Sequence, residues 1–244
     1  MVRLERHRRE WDELARLDSL RAICRREAEW ELPEFLETGE HDVERMLRVG
    51  ADLRLPQRNE RALDFGCGVG RLARALASRF GHVDGVDISE EMIRRARELN
   101  RDRPRLTFTT SAEVPFADET FDFVCSLLVL QHLPSRELAL HYVREFVRVL
   151  RQGGLAVFQV PTALPPSARR QLRRRAYALL RAARVPERWL YERANLNPIR
   201  TLDVAHETIK EAVADAGGKI LRRTEDDAAT MGIESHHYYV GRRD

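Results

Sequence analysis

Arg61-Ala62-Leu63-Asp64-Phe65-Gly66-Cys67-Gly68-Val69-Gly70, running on into Arg71-Leu72-Ala73-Arg74-Ala75-Leu76-Ala77-Ser78-Arg79-Phe80, is the stretch that decides the fold. It reads as a short apolar strand, a loop with three alternate glycines, and a helix over 70–80 with Leu72, Ala73, Leu76, Ala77 and Phe80 as its apolar face. Glycines let a backbone approach a ligand closely. The helix start behind them offers unpaired N–H groups and the positive end of a dipole. A nicotinamide-cofactor loop would carry a glycine at position 71, where this chain has Arg71. By itself the loop also suits a tight strand-to-helix turn with no ligand.

The same alternation continues outward. His82–Asp87 reads as a second strand, and Ser89 as the N-cap of a helix over 90–100 with Glu90 and Glu91 in its first turn. Strands follow over 105–109, 121–128 and 154–160, with a helix from Ser135 to Leu150 before the last of these. A helix over 203–216, Gly217-Gly218 and strands over 219–224 and 236–241 complete the chain. Strands alternating with helices of this length form βαβ units and a parallel sheet, and right-handed crossovers place a ligand crevice at the carboxyl ends of the strands. Upstream, a charged helix is expected over 4–30, with Leu4, Trp11, Leu14, Leu17 and Ile23 as apolar residues and Pro33 ending it. A second is expected over 40–53. Pro165-Pro166 and Pro198 flank a helical insertion, in which 167–184 sets Leu172, Ala176, Leu179, Leu180 and Ala183 against a face of arginines.

With 244 residues, 43% of them hydrophobic and 33% charged, the chain is long enough for one generous domain with a sizeable core and is neither disordered nor collagen-like in composition. No apolar run approaches the length of a membrane span and Met1–Arg6 has no apolar signal core, so neither a spanning helix nor a secretory leader is expected and a cytoplasmic protein is. Cys24, Cys67 and Cys125 are odd in number and widely spaced, which argues against a disulfide framework or a cysteine-rich zinc site. The net charge is only +3, but 165–195 holds nine arginines against Glu187 and Glu192. That segment is +7 and the remainder −4. Its arginines read as a solvated face, as a site for an anionic acceptor, or as a surface for RNA or an anionic membrane.

Asp87 ends the second strand, one helix and one strand downstream of Gly70. A carboxylate at that position accepts both hydroxyls of a ribose. It could instead cap the following helix, but Ser89 is better placed to do so. Ile88 and Met92 would then cover one face of an adenine.

Leu63–Gly70 followed by Gly85-Val86-Asp87-Ile88-Ser89 resembles the first two motifs of class I S-adenosylmethionine-dependent methyltransferases. Thr110-Ser111-Ala112-Glu113-Val114-Pro115-Phe116 resembles their adenine loop, Phe121–Val124 their fourth strand, and Leu150-Arg151-Gln152-Gly153-Gly154 the turn before their fifth. The resemblance covers roughly 60–240 and lies nearest to bacterial small-molecule members. It implies an α/β, Rossmann-like seven-stranded sheet of order 3-2-1-4-5-7-6 with strand seven antiparallel, N-terminal helices, and a helical insertion after strand five. Residues 1–58 would be a helical lid and 59–244 the methyltransferase domain, with 165–200 as a cap.

The resemblance also implies S-adenosylmethionine as methyl donor and S-adenosylhomocysteine (SAH) as product. The methionine end of the donor would lie over Gly66, Gly68 and Gly70, with Asp64 toward its amino group and a backbone carbonyl near Ser126 and Leu127. Asp87 would hold the ribose, and Ser111, Ala112 and Glu113 would face the adenine edge. Two positions depart from the pattern: Ser111 stands where the family usually has an acid, and Gln152 replaces a proline. Arg71 either pairs with the cofactor carboxylate or stands as a solvated first-turn residue.

Gln131-His132-Leu133-Pro134 follows strand four at the rim of the crevice. His132 is the candidate general base and Gln131 a group to orient the acceptor; the alternative is that His132 only pins its loop. His141 is expected to be exposed or satisfied in the core. Alternation in the last strand would turn one of His236 and His237, and one of Tyr238 and Tyr239, outward. Glu234, His236 and His237 lack ligand spacing, and no metal is expected. Acceptor pockets of such enzymes vary in the N-terminal helices and in the insertion after strand five, which makes Trp11, Trp30 and Phe35 candidates to line a lid. The reading is O- or N-methylation of a small molecule, a sugar or secondary metabolite preferred, with an anionic acceptor one form of it. An RNA methyltransferase using the basic 169–184 helix and a non-catalytic cofactor-binding scaffold are the alternatives. Nucleic acid is disfavoured, because Ser126-Leu127-Leu128-Val129 replaces the proline-rich motif of amino methylation and no RNA-binding module is visible.

Overall fold

A computed structural model describes residues 2–24, 29–226 and 232–242. In chain order the elements are α1 (Val2–Ile23), α2 (Leu32–Asp52), β1 (Arg61–Phe65), α3 (Arg71–Leu76), β2 (His82–Asp87), α4 (Glu90–Leu99), β3 (Leu106–Thr110), β4 (Phe121–Ser126), a 3-10 turn (Leu130–His132), α5 (Arg136–Val149), β5 (Leu150–Ala163), α6 (Pro166–Arg169), α7 (Leu172–Ala182), α8 (Glu187–Glu192), α9 (His206–Asp215), β6 (Gly218–Glu225) and β7 (Glu234–Arg242). The strands form one sheet of order β3-β2-β1-β4-β5-β7-β6. The first five run parallel, and β7 is antiparallel to both of its neighbours. This is the order and orientation that the sequence motifs imply.

The sheet is covered on both faces. Every residue of β4 is buried, as its unbroken apolar run requires. Phe65, Tyr142, Phe146, Phe158 and Tyr238 pack on one side; Met46, Leu76, Phe80 and Phe123 pack on the other. The serine caps form as the sequence suggests: Ser89 Oγ accepts the Met92 N–H, and Ser135 Oγ the Leu138 N–H.

Several boundaries differ. Pro33 does not end a helix over 4–30. The first helix closes at Ile23, and Pro33 sits in the first turn of α2, where a missing N–H costs nothing. Residues 25–28, where the expected helix continued, lie outside the described residues. β4 stops at Ser126, and Leu128 takes a left-handed φ of 61°. β5 is longer than 154–160, since Leu150 pairs with Phe121 and the far end pairs with β7 as far as Ala163. Tyr238 and Tyr239 are both buried, because a sheet covered on two faces has no outward side at its centre. The expected 167–184 helix is broken at Gln171, whose φ is 49°. Its apolar face is not the packed one: Tyr177 is buried, whereas Leu172 and Leu179 are exposed.

Candidate active site

The carboxyl ends of β1 to β4 finish along one edge of the sheet, and a narrow cavity of about 80 Å³ lies over them. Phe65 ends β1, and Gly66 and Gly68 follow it; Asp87 ends β2, Ile88 follows it, and Met92 projects from α4; Ser111 and Ala112 follow β3; Leu127 follows β4. The roof is Leu4, His7 and Trp11 of α1, with Ile23 at its end. Eight of the eleven sequence-predicted cofactor residues thus share one wall: Gly66, Gly68, Asp87, Ile88, Met92, Ser111, Ala112 and Leu127.

The glycines are required where the cavity is tightest. Gly66 has φ +75°, and a Cβ there would fall 2.2 Å from Val129 Cγ2; one on Gly68 would fall 2.5 Å from Ile23 Cδ1. Asp87 Oδ2 accepts the Gly68 N–H at 2.9 Å and Oδ1 the Ser89 N–H at 2.8 Å. Each oxygen keeps a further lone pair. Burial pushes the carboxyl up to about 6, although the backbone N–H groups of Ser89, Gly68 and Ile88 pull it down. An apolar slot, two glycines without side chains and one carboxylate with spare acceptor capacity fit a nucleoside with a vicinal diol.

Three predicted residues lie off the wall. Asp64 is buried beneath the loop; its Oδ2 accepts the Ala73 N–H at 2.9 Å, and burial pushes its carboxyl up to about 7. It organises the start of α3 rather than facing the cavity. Gly70, at φ +84°, is the N-cap of α3. The Glu113 side chain is exposed, while its N–H donates to Ser111 Oγ at 2.9 Å.

Arg71 fits neither expectation. It is 4% exposed; its Nη1 donates to Asp42 Oδ2 at 2.6 Å and to Thr38 Oγ1 at 3.0 Å. The ion pair ties α2 to α3.

His7, Trp11, Asp12 and Tyr142 were not singled out as site residues, apart from Trp11 as a lid residue. Trp11 Nε1–H donates to His7 Nε2 at 3.1 Å, and burial holds His7 near 4, so it is neutral at physiological pH. Asp12 Oδ1 accepts Ser89 Oγ–H at 2.7 Å and the Glu91 N–H at 3.2 Å. This latches α1 onto the start of α4. The Tyr142 hydroxyl donates to the Ala112 carbonyl and fixes the loop after β3. Asp12 and Ser89 lie 77 residues apart, and only the docking of α1 brings them together.

A second cavity, of about 780 Å³, meets the first at Trp11, Ile23 and Leu128. Gln131 and His132 line this larger chamber, together with Trp30, Arg71, Asp42 and Tyr191 and with Arg173 and Arg174 of the insertion. His132 Nδ1 lies 2.8 Å from the Arg200 carbonyl, which can only accept, so Nδ1 carries the proton. Nε2, 3.2 Å from Gln131 Nε2, then holds a lone pair. Burial lowers its pKa, with the Arg200 carbonyl opposing. The neutral imidazole is therefore the resting form at pH 7. Phe35 is buried on the packed side of α2 rather than lining either cavity, and His141 is exposed. The buried Cys67 and Cys125 thiols are pushed up by burial and are not poised as nucleophiles. Among the described residues no group of three His, Cys, Asp or Glu side chains could hold a metal ion.

Residues 63–158 match the family described as Methyltransferase domain. The chain is 34% identical over 131 residues to O-methyltransferase resE of Aspergillus sclerotiorum, covering 51% of this chain and 48% of that one. It is 37% identical over 107 residues to 27-O-demethylrifamycin SV methyltransferase of Amycolatopsis mediterranei, covering 41% and 38%. The chain thus spans about half or less of the length of these curated relatives. Magnesium protoporphyrin IX methyltransferase from Synechocystis PCC 6803, solved with bound SAH, superposes with a TM-score of 0.64 at 20% identity, covering 97% of this chain and 98% of that one. The sheet order, the ordered motifs and the matched domain agree: residues 63–158 match a methyltransferase domain, and the sheet has the order of the class I S-adenosylmethionine-dependent methyltransferase fold.

Proposed function

We propose that this chain transfers a methyl group from S-adenosylmethionine to a small-molecule acceptor. The observation that carries the reading is the convergence of Gly66, Gly68, Asp87, Ile88, Met92, Ser111 and Ala112 on one narrow cavity that opens beside a much larger one. The bound donor supplies an electrophilic methyl carbon and needs little further activation. The protein's work is alignment and exclusion of water. Asp87 accepts the ribose hydroxyls, Ile88 and Met92 cover the base, and Ser111 and Ala112 meet its polar edge. Residues 1–58 serve as lid through α1, which closes over the donor, and 165–200 serve as cap over the acceptor.

The larger chamber holds the acceptor. Gln131 orients it, and His132 Nε2 takes the proton when the acceptor is a hydroxyl. O-methylation is favoured over N-methylation by that lone pair and by the names of the two curated relatives. Arg21, Arg173 and Arg174 line the chamber, while Asp42, the one carboxylate among the described lining residues, is already paired with Arg71. That balance suits an acceptor with a negative charge, a carboxylated or phosphorylated sugar or secondary metabolite.

The test is calorimetry with SAH followed by transfer of labelled methyl to a panel of hydroxylated acids and their neutral esters. Binding of SAH with turnover on the acids supports the reading. No heat with SAH on folded protein overturns it.

A further inference from the structure

Among the described residues four large apolar side chains stand exposed, and three of them belong to the cap: Leu172, Leu179 and Trp189, at 60, 72 and 52%. On α7 the exposed positions Leu172, Arg175, Leu179 and Ala182 recur at the spacing of one helical stripe. The packed side is Tyr177, whose hydroxyl donates to Glu187 Oε1 at 2.6 Å and joins α7 to α8. Apolar residues on the outside of a capping element have no role in holding that element down.

The charge around them is one-sided. Glu192 is paired with Arg188 at 2.7 Å, and Glu187 is engaged by Tyr177 and, at 3.8 Å, by Arg181. Arg170, Arg173, Arg175, Arg184 and Arg193 are exposed and form no ion pair with a described residue. The rest of the chain is net negative, so the cationic field is local to the cap.

We propose that this face seats the protein on an anionic lipid bilayer, with Leu179 and Trp189 entering the headgroup boundary and the surrounding arginines meeting lipid phosphates. A polyanion such as RNA would satisfy the arginines and stack a base on Trp189, but would leave Leu172 and Leu179 in water. A second copy of the chain would set one arginine cluster against another across a twofold axis. Only an anionic surface with an apolar interior satisfies both sets. No helix of the described chain is long and apolar enough to cross a membrane, so the association is peripheral. Leu172 and Arg173 also line the larger cavity, so the docked face borders the chamber assigned to the acceptor. The docking itself stands independently of that assignment.

The full chain is sedimented with vesicles of phosphatidylcholine alone and of phosphatidylcholine containing phosphatidylglycerol. Binding should require the anionic lipid and weaken with salt. The Leu179→Ser/Trp189→Ser pair and the Arg175→Gln/Arg184→Gln pair should each weaken it about tenfold, while SAH affinity by calorimetry stays at the parent value. Failure of docking and failure of the methyl-transfer reading are thereby scored on separate instruments. The proposal is overturned by absence of vesicle binding, by equal binding of the variants and the parent, by tighter binding to a single-stranded RNA oligonucleotide than to anionic vesicles, or by a dimer that Leu179→Ser dissociates.

Discussion

Asp87 holds its two oxygens against the Gly68 and Ser89 N–H groups and still faces the cavity. Replacing it with alanine should weaken SAH binding by more than ~1 kcal/mol through loss of charge-assisted bonds, measured by calorimetry. The carboxyl titrates near 6, and a diol donates to its ionised form. SAH affinity should therefore fall about tenfold as pH drops from about 7.5 to about 5, and Asp87→Asn should lose that dependence. Ligand-free stability runs the other way. The folded pKa values of Asp64 and Asp87, about 7 and about 6, lie above their ordinary value of 3.8. The folded chain therefore binds these protons more tightly, and its stability rises as pH falls through that window toward 4. His132→Ala should lower turnover of a hydroxyl acceptor ~100-fold with SAH affinity unchanged; a change under threefold would return His132 to pinning its loop. Because burial lowers its pKa, the acid limb of turnover should lie below the usual histidine range.

At the scale of elements, Asp12 is the buried carboxylate that latches the α1 roof, beside the Arg8–Glu90 ion pair and the Arg95–Ser19 hydrogen bond. Asp12 answers Ser89 Oγ, itself the cap of α4, and the Glu91 N–H. Asp12→Ala should destabilise the fold by about 1–3 kcal/mol, lowering the thermal midpoint, and should raise hydrogen exchange along α1 before that of the sheet. The strands were legible because each βαβ unit writes its pattern within one short contiguous stretch, and their order because Leu63–Gly70, Gly85–Ser89 and Leu150–Gly154 resemble family motifs that imply it. The roof was not legible. Arg71 meets Asp42 across 29 residues and Asp12 meets Ser89 across 77; no local spacing encodes either pairing. Asp64 misled for a related reason: it sits in the expected motif, yet its register in β1 turns it under the loop toward Ala73. The leucines of α7 misled because a helical stripe tells which residues share a face and not whether that face is inward.

For the molecule as a whole, ligand should report on the entire cooperative unit. The cavity draws its walls from α1, α4 and the loops after four strands, so binding ties the roof to the sheet. Saturating SAH at about a hundred times its dissociation constant should add about 2.7 kcal/mol, which for a chain of this length raises the thermal midpoint by roughly 5–10 °C. Scanning calorimetry measures it, and Asp87→Ala should remove about a third or more of the shift at the same concentration. Trp11, Ile23 and Leu128 belong to both cavities at once. A partition shared in this way cannot be finished on one side while the other stands unfilled. Steady-state kinetics should accordingly follow a compulsory sequence, nucleoside first and acceptor second, with SAH competing against the donor and noncompetitive toward the molecule being methylated.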